Sequence, residues 1–200
     1  MSNSLKILAF FAIGVLLGYM KYLPQWAIEN DFSSYALYLL MFLVGIGIGA
    51  DERAMKALKQ FNLRLFMVPL TTITGTLIGV SLVYGFLGNI SFPEVLAVGA
   101  GFGYYSLSSI IITDIKGAEP GVIALLSNVM REIITLLFAP IFVKVFGKLA
   151  PICSGGATSM DTTLPIISFA SGKEYAIVSL FHGIVLTIIV PFLVTFILSF

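Results

Sequence analysis

Two charged residues, Arg131 and Glu132, stand side by side in the apolar run 127–138. With a helical period of 3.6, Asn128, Arg131, Glu132 and Thr135 fall at i, i+3, i+4 and i+7 and share one face. A charged side chain at the centre of a bilayer costs about 2.5–3.5 kcal/mol, so its presence there indicates a function or a tight partner. We therefore predict a cation or proton site at Glu132, with a buried ion pair between helices as the structural alternative.

Two stretches rich in glycine and hydroxyl groups interrupt apolar runs, at 99–114 and 154–165. The unpaired backbone groups of a broken helix are tolerated in a membrane only beside protein or a water-filled cavity. Paired interruptions of this kind indicate a transporter site, and close packing of helices through small residues is the alternative. The side chains predicted to line the site are Tyr105, Ser106, Ser109, Asp114, Thr158, Asp161 and Thr162.

Each broken stretch also contributes an aspartate, Asp114 in the first and Asp161 in the second. Because adjacent residues on a helix do not face each other, Arg131 and Glu132 are expected to have different partners. We expect one of the two aspartates to meet Arg131, which leaves Glu132 for a cation or a proton. An aspartyl hydrolase that uses both aspartates as a dyad is an alternative, although the sequence lacks a Gly-x-Gly-Asp element. The lone His182 is expected to hydrogen-bond a neighbouring helix rather than to relay protons.

The elements that position these side chains must be membrane helices, because the composition is far from that of a soluble domain. Of the 200 residues, 58% are hydrophobic and 10% are charged, with a mean hydropathy of +1.05, whereas soluble domains carry about 25% charged residues. A helix needs about 20 residues to cross a bilayer. We predict an all-α polytopic membrane protein with six or seven transmembrane segments, two of them broken or re-entrant. The apolar stretches are 5–23, 33–50, 65–87, 95–112, 122–146, 154–170 and 175–200.

Charge and cysteine content exclude several other classes of protein. The formal net charge is +1, which provides no basic surface for nucleic acid. The single cysteine, Cys153, cannot form an internal disulfide, and no His/Cys cluster has metal-ligand spacing, so neither a metal nor a cofactor is expected.

No linker divides the chain, and residues 1–200 are predicted to form one domain whose first segment is a retained helix. The basic loop 51–64 predicts a cytoplasmic N-terminus, and alternation of the segments then places 113–119 inside.

Three long motifs follow one another along the chain: GFGYYSLSSIIITD at 101–114, SNVMREIITLLFAP at 127–140 and CSGGATSMDTTLP at 153–165. Together they resemble the bacterial lysine exporter family (LysO). The resemblance implies an inner-membrane, multi-pass exporter of L-lysine, with a fold distantly akin to the cation/proton antiporter and bile-acid transporter folds. It also implies that Glu132 handles the cationic substrate. The pathway would be lined by Tyr105, Ser106, Ser109, Thr158 and Asp161.

Longer members of this family carry additional membrane helices, with an acidic residue of their own, before the region that this chain resembles. The resemblance therefore implies that a second copy or a small membrane protein supplies those helices. We expect secondary transport by proton antiport, with lysine and protons as the transported species. Glu132 and Asp161 would hold the ammonium groups, and Arg131 or a half-helix N-terminus the carboxylate. The alternatives are a sodium/proton or other cation antiporter, and a membrane subunit active only with a small partner.

Overall fold

The computed structural model describes residues 63–87 and 90–200, together with scattered single residues before them. The predicted stretches 5–23 and 33–50 and most of the loop 51–64 lie outside the described residues. From residue 63 onward the described chain is helical and contains no strand. We number its helices α1 (Leu63–Tyr84), α2 (Phe92–Gly99), α3 (Tyr105–Lys116), α4 (Ala118–Phe146), α5 (Ala150–Gly155), α6 (Leu164–Ser171) and α7 (Ala176–Leu198), with 3-10 turns at Gly156–Met160 and Lys173–Tyr175.

Three of the described helices are long and apolar enough to cross a membrane, over Leu65–Tyr84, Ala118–Phe146 and Lys173–Leu198. Large apolar side chains stand exposed along α4, for example Leu126 at 58% and Leu137 at 65%. Exposed apolar area on this scale is unusual for a soluble monomer and normal for a surface that meets lipid. The all-α prediction is confirmed for the described residues, and the chain is a membrane protein.

The predicted stretches 95–112 and 154–170 are both broken in the structure. The first divides into α2 and α3 around a turn in which Phe102 and Gly103 have φ of 44° and 90°. The second begins earlier than predicted and divides into α5 and α6 around the turn Gly156–Met160. We call the turn 100–104 the first break and the turn 156–163 the second break.

Helix α7 is the best-buried of the three long helices, since 56% of its most apolar stretch is buried inside the protein. One core cluster joins Leu186, Val190 and Val194 of α7 to Phe102 of the first break and Ala157 of the second break. The core therefore sits where α7 meets both breaks. This packing holds the two irregular turns in fixed positions, although neither makes a complete set of helical hydrogen bonds.

Candidate functional site

The two breaks cross and contact each other through their backbones. The Ala157 N–H donates a hydrogen bond of 2.8 Å to the carbonyl oxygen of Phe102. Gly156 has a φ of +63°, and a Cβ added there would collide with the same carbonyl group. Gly103, with a φ of +90°, lies against the carbonyl oxygen of Gly155, 3.0 Å from an added Cβ. The glycines that suggested breaks in the sequence are thus needed for positive φ and for close approach of the two turns.

Four half-helix ends meet at this crossing. The C-terminal ends of α2 and α5 leave carbonyl oxygens without helical partners, and the N-terminal end of α3 leaves N–H groups without helical partners. At the start of α6 the Leu164 N–H donates to the Asp161 carbonyl oxygen, and Pro165 has no N–H. Aligned peptide dipoles place about half a negative charge at each C-terminal end and half a positive charge at each N-terminal end. In a membrane these partial charges require polar side chains nearby.

Asn128 of α4 supplies those side-chain contacts for the first break. Its Oδ1 accepts a hydrogen bond of 2.7 Å from the Gly103 N–H. Its amide nitrogen donates to the carbonyl oxygens of Val98 at 3.2 Å and of Ala124 at 2.9 Å. The side chain is buried, with 3% exposed. Asn128 therefore holds both sides of the first break against α4.

Arg131, one turn further along α4, makes the corresponding contacts at the second break. Its Nε donates to the carbonyl oxygen of Ser154 and its Nη2 to that of Cys153, both at 2.8 Å. A longer contact of 3.5 Å joins Nη1 to the Thr76 hydroxyl. The guanidinium thus binds the negative C-terminal end of α5, with three of its five N–H groups engaged among the described residues.

The prediction that Asp114 or Asp161 pairs with Arg131 is wrong. Among the described residues, Arg131 has oxygen atoms of Thr76, Cys153 and Ser154 as hydrogen-bond partners, and no ion pair joins it to either aspartate. The physical reason is that orphan carbonyl groups at a buried helix end accept hydrogen bonds from a guanidinium without introducing a second formal charge.

Glu132 and Asp161 both lie within electrostatic range of Tyr105, the first residue of α3. The Tyr105 hydroxyl experiences the charges of both carboxylates, and Tyr104 that of Asp161. Asp161 lies within the second break, where its Oδ1 accepts a hydrogen bond of 2.6 Å from the Thr162 N–H. Glu132 is half-buried. Two carboxylates within electrostatic range of one hydroxyl, at the N-terminal end of α3, provide acceptors for an ammonium group or a proton.

Comparison with known proteins places the chain in a family. The family model described as "Lysine exporter LysO" matches residues 8–198. The chain belongs to the lysine exporter LysO family. It is 32% identical over 195 residues to the protein named "Lysine exporter LysO" from Escherichia coli (strain K12), a match that covers 97% of this chain and 64% of that protein.

A second relative matches over its whole length. The "Putative lysine exporter" of Haemophilus influenzae (strain ATCC 51907 / DSM 11121 / KW20 / Rd) is 32% identical over 196 residues, which are 98% of this chain and 98% of that protein. The chain thus spans 64% of the length of one curated relative and nearly all of the other. No solved structure matches this LysO-family chain.

The remaining residues predicted for the LysO-family site fall into three positions. Thr158 is buried within the second break, where its hydroxyl donates to the Gly155 carbonyl at 2.8 Å and lies 3.3 Å from the Thr163 hydroxyl. Ser106 and Thr162 are exposed beside the crossing. Ser109 and Asp114 lie further along α3, away from the crossing.

Asp114 is near the opposite end of α3 from Tyr105. Asp114 is nine positions after Tyr105, which is about 14 Å along the helix, whereas Asp161 lies within electrostatic reach of Tyr104 and Tyr105. This separation argues against the shared proton that an aspartyl dyad needs, and the structure gives the hydrolase alternative no support. Among the described residues, no group of three His, Cys, Asp or Glu side chains is placed to hold a metal ion.

His182 connects α7 to two other parts of the structure. Its Nε2 lies 2.9 Å from the Thr72 hydroxyl of α1, and its Nδ1 lies 3.0 Å from the Ser159 hydroxyl of the second break. Ser159 also donates to the Ser179 carbonyl at 3.0 Å. The prediction of a hydrogen-bonded histidine between helices is confirmed. The contribution of Thr72 and Ser179 was not predicted, since single hydroxyl residues in apolar helices carry no distinctive pattern.

Proposed function

We propose that this chain is a secondary transporter that exports L-lysine across the bacterial cytoplasmic membrane as a multi-pass protein. The observation that carries the proposal is the grouping of Glu132, Asp161 and Tyr105 beside two crossing broken helices. Discontinuous helices whose ends meet near mid-membrane are the usual construction of substrate sites in secondary transporters. The names of both curated relatives support lysine as the substrate, and the crossing supports the likeness to cation/proton antiporter and bile-acid transporter folds.

Lysine carries two ammonium groups and one carboxylate, and the site offers complementary groups for each. Glu132 and Asp161 are assigned to the ammonium groups, with the Tyr105 hydroxyl as a further acceptor. The carboxylate is assigned to the N-terminal end of α3, where N–H groups without a helical partner and the helix dipole favour an anion. Arg131 is reassigned from substrate binding to holding α5, because its two short hydrogen bonds go to backbone carbonyl groups.

Export of a cation from a negative cell interior requires a source of energy. Moving one positive charge outward against about 100 mV costs about 2.3 kcal/mol. Exchange of one lysine cation for one proton moves no net charge, and each unit of pH gradient then sustains about a tenfold lysine gradient, equivalent to about 1.4 kcal/mol. We propose proton antiport, with Glu132 releasing its proton when the substrate ammonium binds.

The experiment is efflux of radiolabelled lysine from proteoliposomes that contain the purified chain. Imposing an inward proton gradient, with the membrane potential clamped, is expected to drive lysine out against its gradient. A lysine efflux rate that does not change with the pH gradient would reject proton antiport but would still support lysine transport. Absence of lysine movement, with counterflow of labelled sodium instead, would favour the alternative of an inorganic-cation antiporter that uses the same carboxylates.

A second candidate is a transporting unit that needs a partner, either another copy of the chain or a small membrane protein. The match to 64% of the longer Escherichia coli relative favours it, and the full-length match to the Haemophilus influenzae protein favours independent activity. Efflux measured with the chain alone, at increasing protein-to-lipid ratio, separates these candidates. Activity per molecule that rises with density supports association, and constant activity supports an independent chain.

A further inference from the structure

A cavity lies between α3 and α4, away from the crossing of the breaks. It has a volume of about 480 Å³, which is within the range of small-molecule sites. Three polar residues of α3 and three apolar residues line it: Ser109, Thr113 and Asp114, and Ile110, Val122 and Leu125. Gly121 of α4 leaves the space that the Thr113 side chain occupies, since a Cβ at that position would collide with the Thr113 hydroxyl.

The hydroxyl groups in this cavity are available to a ligand. Some hydroxyl residues of the described helices donate to a carbonyl one turn back, as Ser108 does to Tyr104 and Thr135 does to Arg131. Ser109 and Thr113 make no such hydrogen bond within the described part of the chain, although both stand in regular helix. Ser109 is half-buried and its hydroxyl is not among the fully buried unsatisfied atoms, and Thr113 is exposed, so neither side chain is closed off from the cavity.

A polar stripe joins this cavity to the site at the crossing. Tyr105, Ser109 and Thr113 stand at i, i+4 and i+8 on α3 and therefore lie on one face of that helix. The stripe runs for about 12 Å from Tyr105 to Thr113, one turn before Gly117, where α3 connects to α4. The sequence-based topology places this turn on the cytoplasmic side, where an exporter takes up its substrate.

We propose that this cavity is an entry station that binds an alkylammonium cation before it reaches Glu132. The Asp114 carboxylate and the hydroxyls of Ser109 and Thr113 accept hydrogen bonds from the ammonium group. Ile110, Val122 and Leu125 cover the methylene chain, as apolar walls do for long charged side chains. The inference rests on the proposed function for its role in transport, but the binding itself is independent of Glu132.

The first test compares Asp114→Asn with Glu119→Gln in reconstituted lysine efflux. Glu119 is exposed in the first turn of α4 and does not line the cavity, so it is a matched control for the loss of one negative charge. Asp114→Asn is expected to raise the KM for lysine up to about fivefold with kcat unchanged, because a partly exposed ion pair has this strength. The difference is expected to shrink as salt is raised, and Asp114→Glu is expected to restore the KM.

A fall in kcat at unchanged KM, or an equal effect of Glu119→Gln, would overturn the entry station. The proposed function fails separately, when Glu132→Gln leaves efflux unchanged. If Glu132→Gln abolishes efflux while Asp114→Asn behaves like the wild type, the proposed function stands and the entry station is rejected.

The second test measures occupation of the cavity without transport. A Ser109→Cys thiol, in a chain that also carries Cys153→Ser and Glu132→Gln, is labelled with a neutral maleimide. Lysine and n-pentylamine are expected to slow labelling by at least threefold, glutamate is expected to have no effect, and adding Asp114→Asn is expected to abolish the protection. Labelling that proceeds at one rate with and without either amine would reject the site.

Discussion

Arg131 is expected to stabilise the second break rather than to bind substrate, and Arg131→Lys tests this directly. The guanidinium donates two hydrogen bonds of 2.8 Å to the carbonyl oxygens of Cys153 and Ser154. A lysine ammonium is a point charge without the planar fork, so it can retain one of these bonds. A hydrogen bond to a charged group contributes about 1.5–3 kcal/mol, and Arg131→Lys is expected to lower the free energy of unfolding by that amount.

Arg131→Met removes both bonds and is expected to cost about 3–6 kcal/mol. For a chain of this size, 1 kcal/mol corresponds to a shift in Tm of about 2–4 °C. The Tm in detergent should therefore fall by about 3–12 °C for Arg131→Lys and by more for Arg131→Met. The assay is thermal unfolding of the purified chain followed by circular dichroism, with lysine efflux measured on the same preparations.

Lys148→Met is the matched control for the loss of a positive charge. The Lys148 Nζ lies 3.4 Å from Glu174 Oε1, but the two side chains are 53% and 66% exposed. Solvent screens such an exposed pair, which adds little to stability, so the control should change the Tm little. The reasoning is refuted if Arg131→Lys unfolds at the wild-type temperature while the KM for lysine rises tenfold or more, since Arg131 would then bind substrate.

Two further substitutions test how the breaks are held. Gly156→Ala forces a side chain to a φ of +63° and against the Phe102 carbonyl, so we expect little monodisperse protein by size-exclusion chromatography. The control is Gly75→Ala, where nothing lies within 4 Å of an added Cβ and the substitution should be stabilising by roughly 0.5–1 kcal/mol. Equal yields of the two variants would contradict the crossing of the two breaks. His182→Phe removes two hydrogen bonds at a fully buried position and should lower the free energy of unfolding by about 1–3 kcal/mol; an unchanged Tm would show that His182 does not link the helices.

The helices and both breaks could be predicted from the sequence because they depend on local properties. Runs of apolar residues indicate membrane helices, and glycines beside hydroxyl residues indicate where a helix stops. The first break, with Gly103 at a φ of +90°, lies within the predicted stretch 99–114. The grouping of Asn128, Arg131, Glu132 and Thr135 on one face was predictable for the same reason, since it needs only the helical period.

The partners of these side chains could not be predicted, because they belong to turns distant in sequence. The carbonyl groups that Arg131 binds are more than twenty residues away, and they become acceptors only because α5 ends there. We predicted an aspartate partner for Arg131 because opposite formal charges attract. That prediction was wrong because the C-terminal end of a helix carries a partial negative charge that also binds a guanidinium. The separation of Asp114 from Asp161 likewise depends on where α3 lies relative to the second break.

The measurement that most directly tests the account is proton-driven lysine efflux by Glu132→Gln in proteoliposomes, with Glu119→Gln as the control. The substitution keeps the size and hydrogen-bonding capacity of Glu132 but removes its charge and its titratable proton. We predict at least a tenfold fall in efflux driven by the pH gradient, while Glu119→Gln transports at the wild-type rate. Wild-type efflux by Glu132→Gln, with the same dependence on the pH gradient, would contradict the assignment of Glu132 as the cation and proton site.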